Sequence, residues 1–63
     1  MLILNSCYSQ EVNDYIADDY HKSGLQLFEQ EFYDKAILDY GKAIDLDPNF
    51  ADAYNDRGFT YYF

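Results

Sequence analysis

The chain has 63 residues, enough for one small domain that buries only roughly 60% of its unfolded surface. Twelve Asp and Glu against four Lys and Arg give a formal charge of −8, which repels phosphate backbones and anionic membranes and argues against nucleic acid and lipid surfaces as partners. The single cysteine, Cys7, excludes an internal disulfide, no Cys/His cluster offers a zinc site, and no apolar run approaches the roughly 20 residues that span a bilayer.

Residues 1–13 read as a leader without helical period. Two readings stand for it. One is a frayed apolar N-terminus. The other is the remnant of a signal peptide whose true start lies upstream. Under the second, Leu4-Asn5-Ser6-Cys7 resembles a bacterial lipoprotein cleavage box with Cys7 as the lipidated residue, and cleavage nearer Ser9-Gln10 is the alternative. The first reading leaves a cytoplasmic protein, the second an exported or lipid-anchored one.

Asn13 is placed to cap a helix, with Asp14 in its first turn. From there to about Gln30, Ile16, Tyr20, Leu27 and Phe28 recur at spacings of three and four with Gly24 among them, which predicts one amphipathic helix. A short turn lies within residues 29–33. A second helix is expected from about Asp34 to Leu46, with Ala36, Ile37, Tyr40, Ala43 and Ile44 as its apolar stripe. Pro48 stops it and pushes Asp47 out of helical geometry. After the link at Asn49-Phe50, a third helix is expected from near Asp52 to the last residue, carrying Tyr54, Gly58 and Tyr61 on one face. No strand signal is present.

The first and third helices repeat each other. Ala17, Asp18, Tyr20 and Gly24 return 34 residues later as Ala51, Asp52, Tyr54 and Gly58, and Leu27-Phe28 return as Tyr61-Tyr62. A period of this size marks a stacked helical repeat. The residues Tyr20, Ser23, Gly24, Leu27, Ala36, Tyr40, Ala43 and Pro48 resemble the tetratricopeptide repeat at eight fixed offsets, and Tyr54, Arg57, Gly58 and Tyr61 restart the pattern. The resemblance covers residues 17–63: a full repeat over 17–50 and a partial one over 51–63, within a region 14–63. It implies an all-α solenoid of antiparallel helix pairs, truncated after the first helix of the second repeat. Gly24, Ala36 and Ala43 let two helices approach closely while Tyr20, Leu27 and Tyr40 fill the space around them. Three positions depart from the pattern. Ser23 is polar where an aliphatic residue is common, Gly41 interrupts the second helix, and Glu31 holds a turn site often given to glycine.

The resemblance further implies protein–protein interaction, on a concave face lined by Asp18, His21, Leu25, Phe28, Asp52, Asn55, Asp56, Phe59 and Tyr62. The charge favours a basic or amphipathic peptide or protein as partner. A relative of the family in chaperone adaptors clamps a C-terminal carboxylate with Lys, Asn and Arg. Here the matching places hold His21, Leu25 and Asp56, with only Asn55 near the pattern, so that role is not implied. His21, the one histidine, is expected to face solvent in the groove, since Asp18 alone beside it makes no metal site. Cys7 has no base near it in sequence. No phosphate loop, nucleophile elbow or calcium loop is present, so neither catalysis nor a cofactor is implied. The competing readings are a fragment that self-associates through 51–63 and an accessory segment of a larger exported protein or enzyme assembly.

Overall fold

Three helices in chain order, α1 (Leu2–Glu29), α2 (Tyr33–Leu46) and α3 (Ala51–Thr60), make up the fold, with no strand among the described residues. The computed structural model describes the backbone of residues 2–63 and the side chains of residues 10–63. α2 lies between the other two, packing chiefly on α1 and secondarily on α3, while α1 and α3 meet over a smaller area.

α1 does not begin at Asn13. Residues 2–13 contain neither Gly nor Pro, so nothing local ends the helix there, and Asn13 is interior to α1 and caps nothing. At the junction with the repeat, the Gln10 amide donates to the Leu46 carbonyl at 3.4 Å, satisfying one of the acceptors that the end of α2 leaves without an intrahelical partner. The side chain of Cys7 lies outside the described residues.

The turn from α1 to α2 is closed by two backbone bonds. Phe32 N–H reaches the Leu27 carbonyl at 2.9 Å and Glu31 N–H the Phe28 carbonyl at 2.9 Å, the paired bonds of a Schellman motif. That motif needs a left-handed residue at its first position outside the helix, and Glu31 adopts φ 68. Glu31 therefore carries backbone strain that a glycine at this turn site would avoid, because a Cβ crowds the following carbonyl there. Asp34 sits in the first turn of α2, where its charge complements the helix dipole. At the other end, Asp47 is extended (φ −135, ψ 91) ahead of Pro48, and its carboxylate accepts from Asn49 N–H at 3.2 Å to shape the link.

The core is built largely of small residues: Ala17, Ala43 and Ala53 cluster with Ile44, and Tyr20, Leu46 and Phe50 pack against them. Ala17, Ala36, Ala43 and Ala53 are fully buried, with Tyr40 beside them and Ile44 nearly so. Of the stripe expected on α2, Ala36, Tyr40, Ala43 and Ile44 are buried, while Ile37 is half-buried and lines an open groove. On α1 the inner place is taken by Ala17, and Ile16, expected inward, is exposed. Adjacent apolar residues cannot be ranked by a 3.6-residue period, and the close helix seam selects the smaller. A Cβ added to Gly24 would sit 2.5 Å from Cε1 and 2.7 Å from Cδ1 of Tyr40, so the ring lies directly on the glycine.

α3 ends at Thr60 rather than at the last residue. The buried Thr60 hydroxyl donates back to the Asp56 carbonyl at 2.7 Å, and Tyr61-Tyr62 form a turn. That turn swings Phe63 onto the start of α2, where it stacks on Tyr33 with centroids 5.1 Å apart.

Candidate partner-binding face

The antiparallel α1–α2 pair and the link at residues 47–50 carry α3 back alongside α1. Positions separated by about one repeat then meet. His21 on α1 donates Nε2–H to Oδ2 of Asp56 on α3 at 2.6 Å. An ionised carboxylate only accepts, so the proton is on Nε2. The imidazole is largely enclosed, at 12% side-chain exposure, because Phe50 covers it at a centroid distance of 4.9 Å and Tyr40 at 5.8 Å. His21 is therefore not the solvent-facing residue that its lack of sequence partners suggested. It is a polar link between the two helices, with its imidazole largely enclosed by rings from α2 and the link.

A second crossing lies two turns further along. Phe28 on α1 meets Phe59 on α3 at 5.8 Å, and both are joined by Phe63 at 5.2 and 5.3 Å, with Tyr33 against both Phe28, at 5.4 Å, and Phe63. Ring pairs at these distances contribute roughly 0.5–1.5 kcal/mol beyond the area they bury. Phe50, Tyr33 and Phe63 were not among the residues singled out for this face. Each is brought to it by a turn or a link rather than by a helical period, so no spacing pointed to them.

The remaining expected residues divide by exposure. Leu25 and Phe59 are exposed at 38% and 56%, and Tyr62 at 88% makes no ring contact among the described residues. Asp52 and Asn55 are exposed on α3. Asp18 pairs with Lys22 one turn on at 3.1 Å, an exposed contact of little net worth. The Lys22 ammonium is raised above its usual range first by that hydrogen bond and then by the Asp18 charge. Of the three aspartates on this face, Asp52 alone has no basic side-chain nitrogen within 4.0 Å among the described residues. No group of three His, Cys, Asp or Glu side chains gathers as metal ligands would among the described residues.

Ser23, the polar departure on α1, has its explanation in α2. Its hydroxyl donates to Asp39 Oδ2 at 2.6 Å across the seam. The phenol of the neighbouring Tyr40 is pushed above its ordinary value by burial and then by the Asp56 charge, with Thr60 acting the other way.

The family model described as TPR repeat matches residues 24–62. Comparison with curated proteins and with solved structures gave no match. No described helix is long and apolar enough to cross a membrane.

Proposed function

Because the chain belongs to the tetratricopeptide-repeat family, whose repeats mediate protein–protein interaction, we propose that it holds a basic or amphipathic segment of a protein partner across α1 and α3. The observation that carries this reading is the fixed spacing of the two helices. His21–Asp56 at one level and Phe28–Phe59 at another hold α1 and α3 side by side, and Leu25, Asp52, Asn55 and Tyr62 are exposed. A surface held in place before binding loses little entropy on contact, which favours affinity from a small area. Leu25 and Tyr62 offer apolar contact, and Asp52 offers an unengaged carboxylate to a cationic side chain.

A peptide array probed with the full chain tests this. Basic and amphipathic sequences are the expected hits, with affinity falling as salt shortens the Debye length from about 10 Å to about 3 Å. The double variant Leu25→Ser/Tyr62→Ser should lose them while keeping its helical circular dichroism. An array dominated by acidic sequences, or binding indifferent to both salt and the double variant, refutes the reading.

A further inference from the structure

His21 is the only histidine of the chain, and histidine is the side chain whose ordinary charge change falls within about pH 5 to 8. One ring nitrogen is engaged on Asp56 of α3 at 2.6 Å, and Tyr40 and Phe50 enclose the ring. The other nitrogen, Nδ1, makes no hydrogen bond within the described residues. None of their buried side-chain nitrogen or oxygen atoms lacks a partner, so Nδ1 is in reach of water. A proton can therefore join the ring at Nδ1 without breaking the bond to Asp56.

The groups around the ring decide what that proton does. On α3, Asp56 keeps 36% of its side chain exposed, so its charge is felt at the surface, and Asp52 lies one turn before it. On α1, Asp18 lies one turn before His21 and is already paired with Lys22. From α2 comes Tyr40, whose phenol is held above its ordinary value by burial and then by the Asp56 charge, and so is neutral throughout this range. From the link comes Phe50, which carries no charge. Asp56 is thus the one ionised group bonded to the imidazole. With His21 neutral the pair carries a charge of −1, and with His21 protonated it carries none.

We propose that the His21–Asp56 link makes binding at the α1–α3 face depend on protons: protonation of His21 turns the link into an ion pair, cancels the charge that Asp56 presents, and releases a cationic partner segment. This gating rests on the face being the site of a basic segment. α1 and α3 stay joined in both states, so the gate acts through charge and not by opening the face. Linkage makes the effect reciprocal, and a bound cationic segment expels the proton from His21.

The probe is a rhodamine-labelled peptide of lysine and leucine, whose own charge is constant between about pH 5.5 and about pH 7.5. It is titrated into the full chain by anisotropy at fixed ionic strength, and backbone amide shifts of the chain alone are followed over the same range. Affinity should fall by about threefold or more from the higher pH to the lower, the size of one charge–charge contact near water. In the chain alone, the amides of residues 55–57 on α3 should move together with the His21 ring signals. His21→Gln keeps an N–H donor for Asp56 and does not titrate, so both responses should become flat while circular dichroism stays that of the parent. Asp56→Asn should bind as weakly at the higher pH as the parent does at the lower. Affinity equal at both pH values in the parent, an unchanged pH response in His21→Gln, or α3 amides that stay still while His21 titrates each overturns the gating and leaves the basic-segment reading standing. Loss of helical circular dichroism at the lower pH overturns it too, since the face would then be opening. A peptide bound at neither pH sinks the basic-segment reading and the gating with it.

Discussion

Gly24 and Gly58 occupy the same place in two copies of one helix, yet one is buried under a tyrosine ring and the other faces open space. Their neighbours follow suit. Tyr20 packs against the core cluster while Tyr54 is exposed, and Ser23 is tied across a seam while Arg57 lies on its own helix's tyrosine. The contrast separates what a residue is from what it contributes. A helical glycine weakens its own helix in both copies, by about 0.5–1 kcal/mol relative to alanine. Only where a second helix arrives does the missing side chain return that cost as close packing. A repeat's motif residues therefore specify a contact to be made, and the stability appears only when the contact exists.

The largest effect should come from filling the two notches. Gly24→Leu forces its Cβ into the ring of Tyr40, which is itself fully buried. A loss of about 1–3 kcal/mol is expected. In a domain of this size that lowers the melting temperature by about 4–8 °C per kcal/mol. At Gly58 a Cβ meets nothing within 4 Å, so Gly58→Leu in the free chain should leave the melting temperature unchanged or slightly raised. Equal melting of the Gly24→Leu variant and the parent would dissolve the contrast.

Much of this contrast was legible in the sequence, because the seam follows a local code. Small residues at Gly24, Ala36 and Ala43 alternate with large ones at Tyr20, Leu27 and Tyr40, and each is fixed by its own helix's period. The features that escaped depend on chain reversal. His21 looked solvent-facing because its partners, Asp56 and Phe50, are some thirty residues away and arrive only once the link at 47–50 has formed. Phe63 was expected inside the third helix, yet the turn after Thr60 sets it on Phe28, Tyr33 and Phe59. The continuation of α1 through residues 2–13 escaped for a different reason. Helix can extend where no breaker stops it even without an amphipathic pattern, and Asn13 is a good cap only where a helix begins.

The tyrosine of the covered seam should also make the fold sensitive to alkali. The raised Tyr40 phenol means that folding favours its neutral form, so its contribution is fully present below the unfolded value of 10.0 and is lost as pH rises through the higher folded value. Thermal melts should hold steady up to about pH 10 and fall above it. Tyr40→Phe should flatten that fall, because the buried ring stays while the titrating group is gone. A variant that loses stability above pH 10 as steeply as the parent would place the sensitive group elsewhere.

Across the seam, Ser23→Ala removes the donor to Asp39 and leaves a half-buried carboxylate with one hydrogen bond fewer. A cost of about 1 kcal/mol is expected. At the corresponding place on α3, Arg57→Ala should change the free chain by less than about 0.5 kcal/mol, because a surface side chain away from any seam contributes little. Chemical denaturation of the two variants side by side reads the difference. Parity between them would mean that the Ser23–Asp39 contact adds nothing to the first copy.

The smallest effect is the one that sharpens the comparison most, since it predicts a gain. Gly41 and Gly58 both lie within helices, neither has positive φ, and a Cβ at either meets nothing within 4 Å. Alanine at each should therefore stabilise the chain by about 0.5–1 kcal/mol, through helix propensity alone. Gly24→Ala, by contrast, should destabilise, since even a single methyl would stand 2.5 Å from the Tyr40 ring. The three alanine variants differ by one methyl group each, so composition and charge cannot account for a split in sign. Only the helix standing opposite can. If all three raised the melting temperature, Tyr40 would be free to yield and Gly24 would be as uncommitted as Gly58. If all three lowered it, some neighbour would already cover Gly58 and Gly41 in solution.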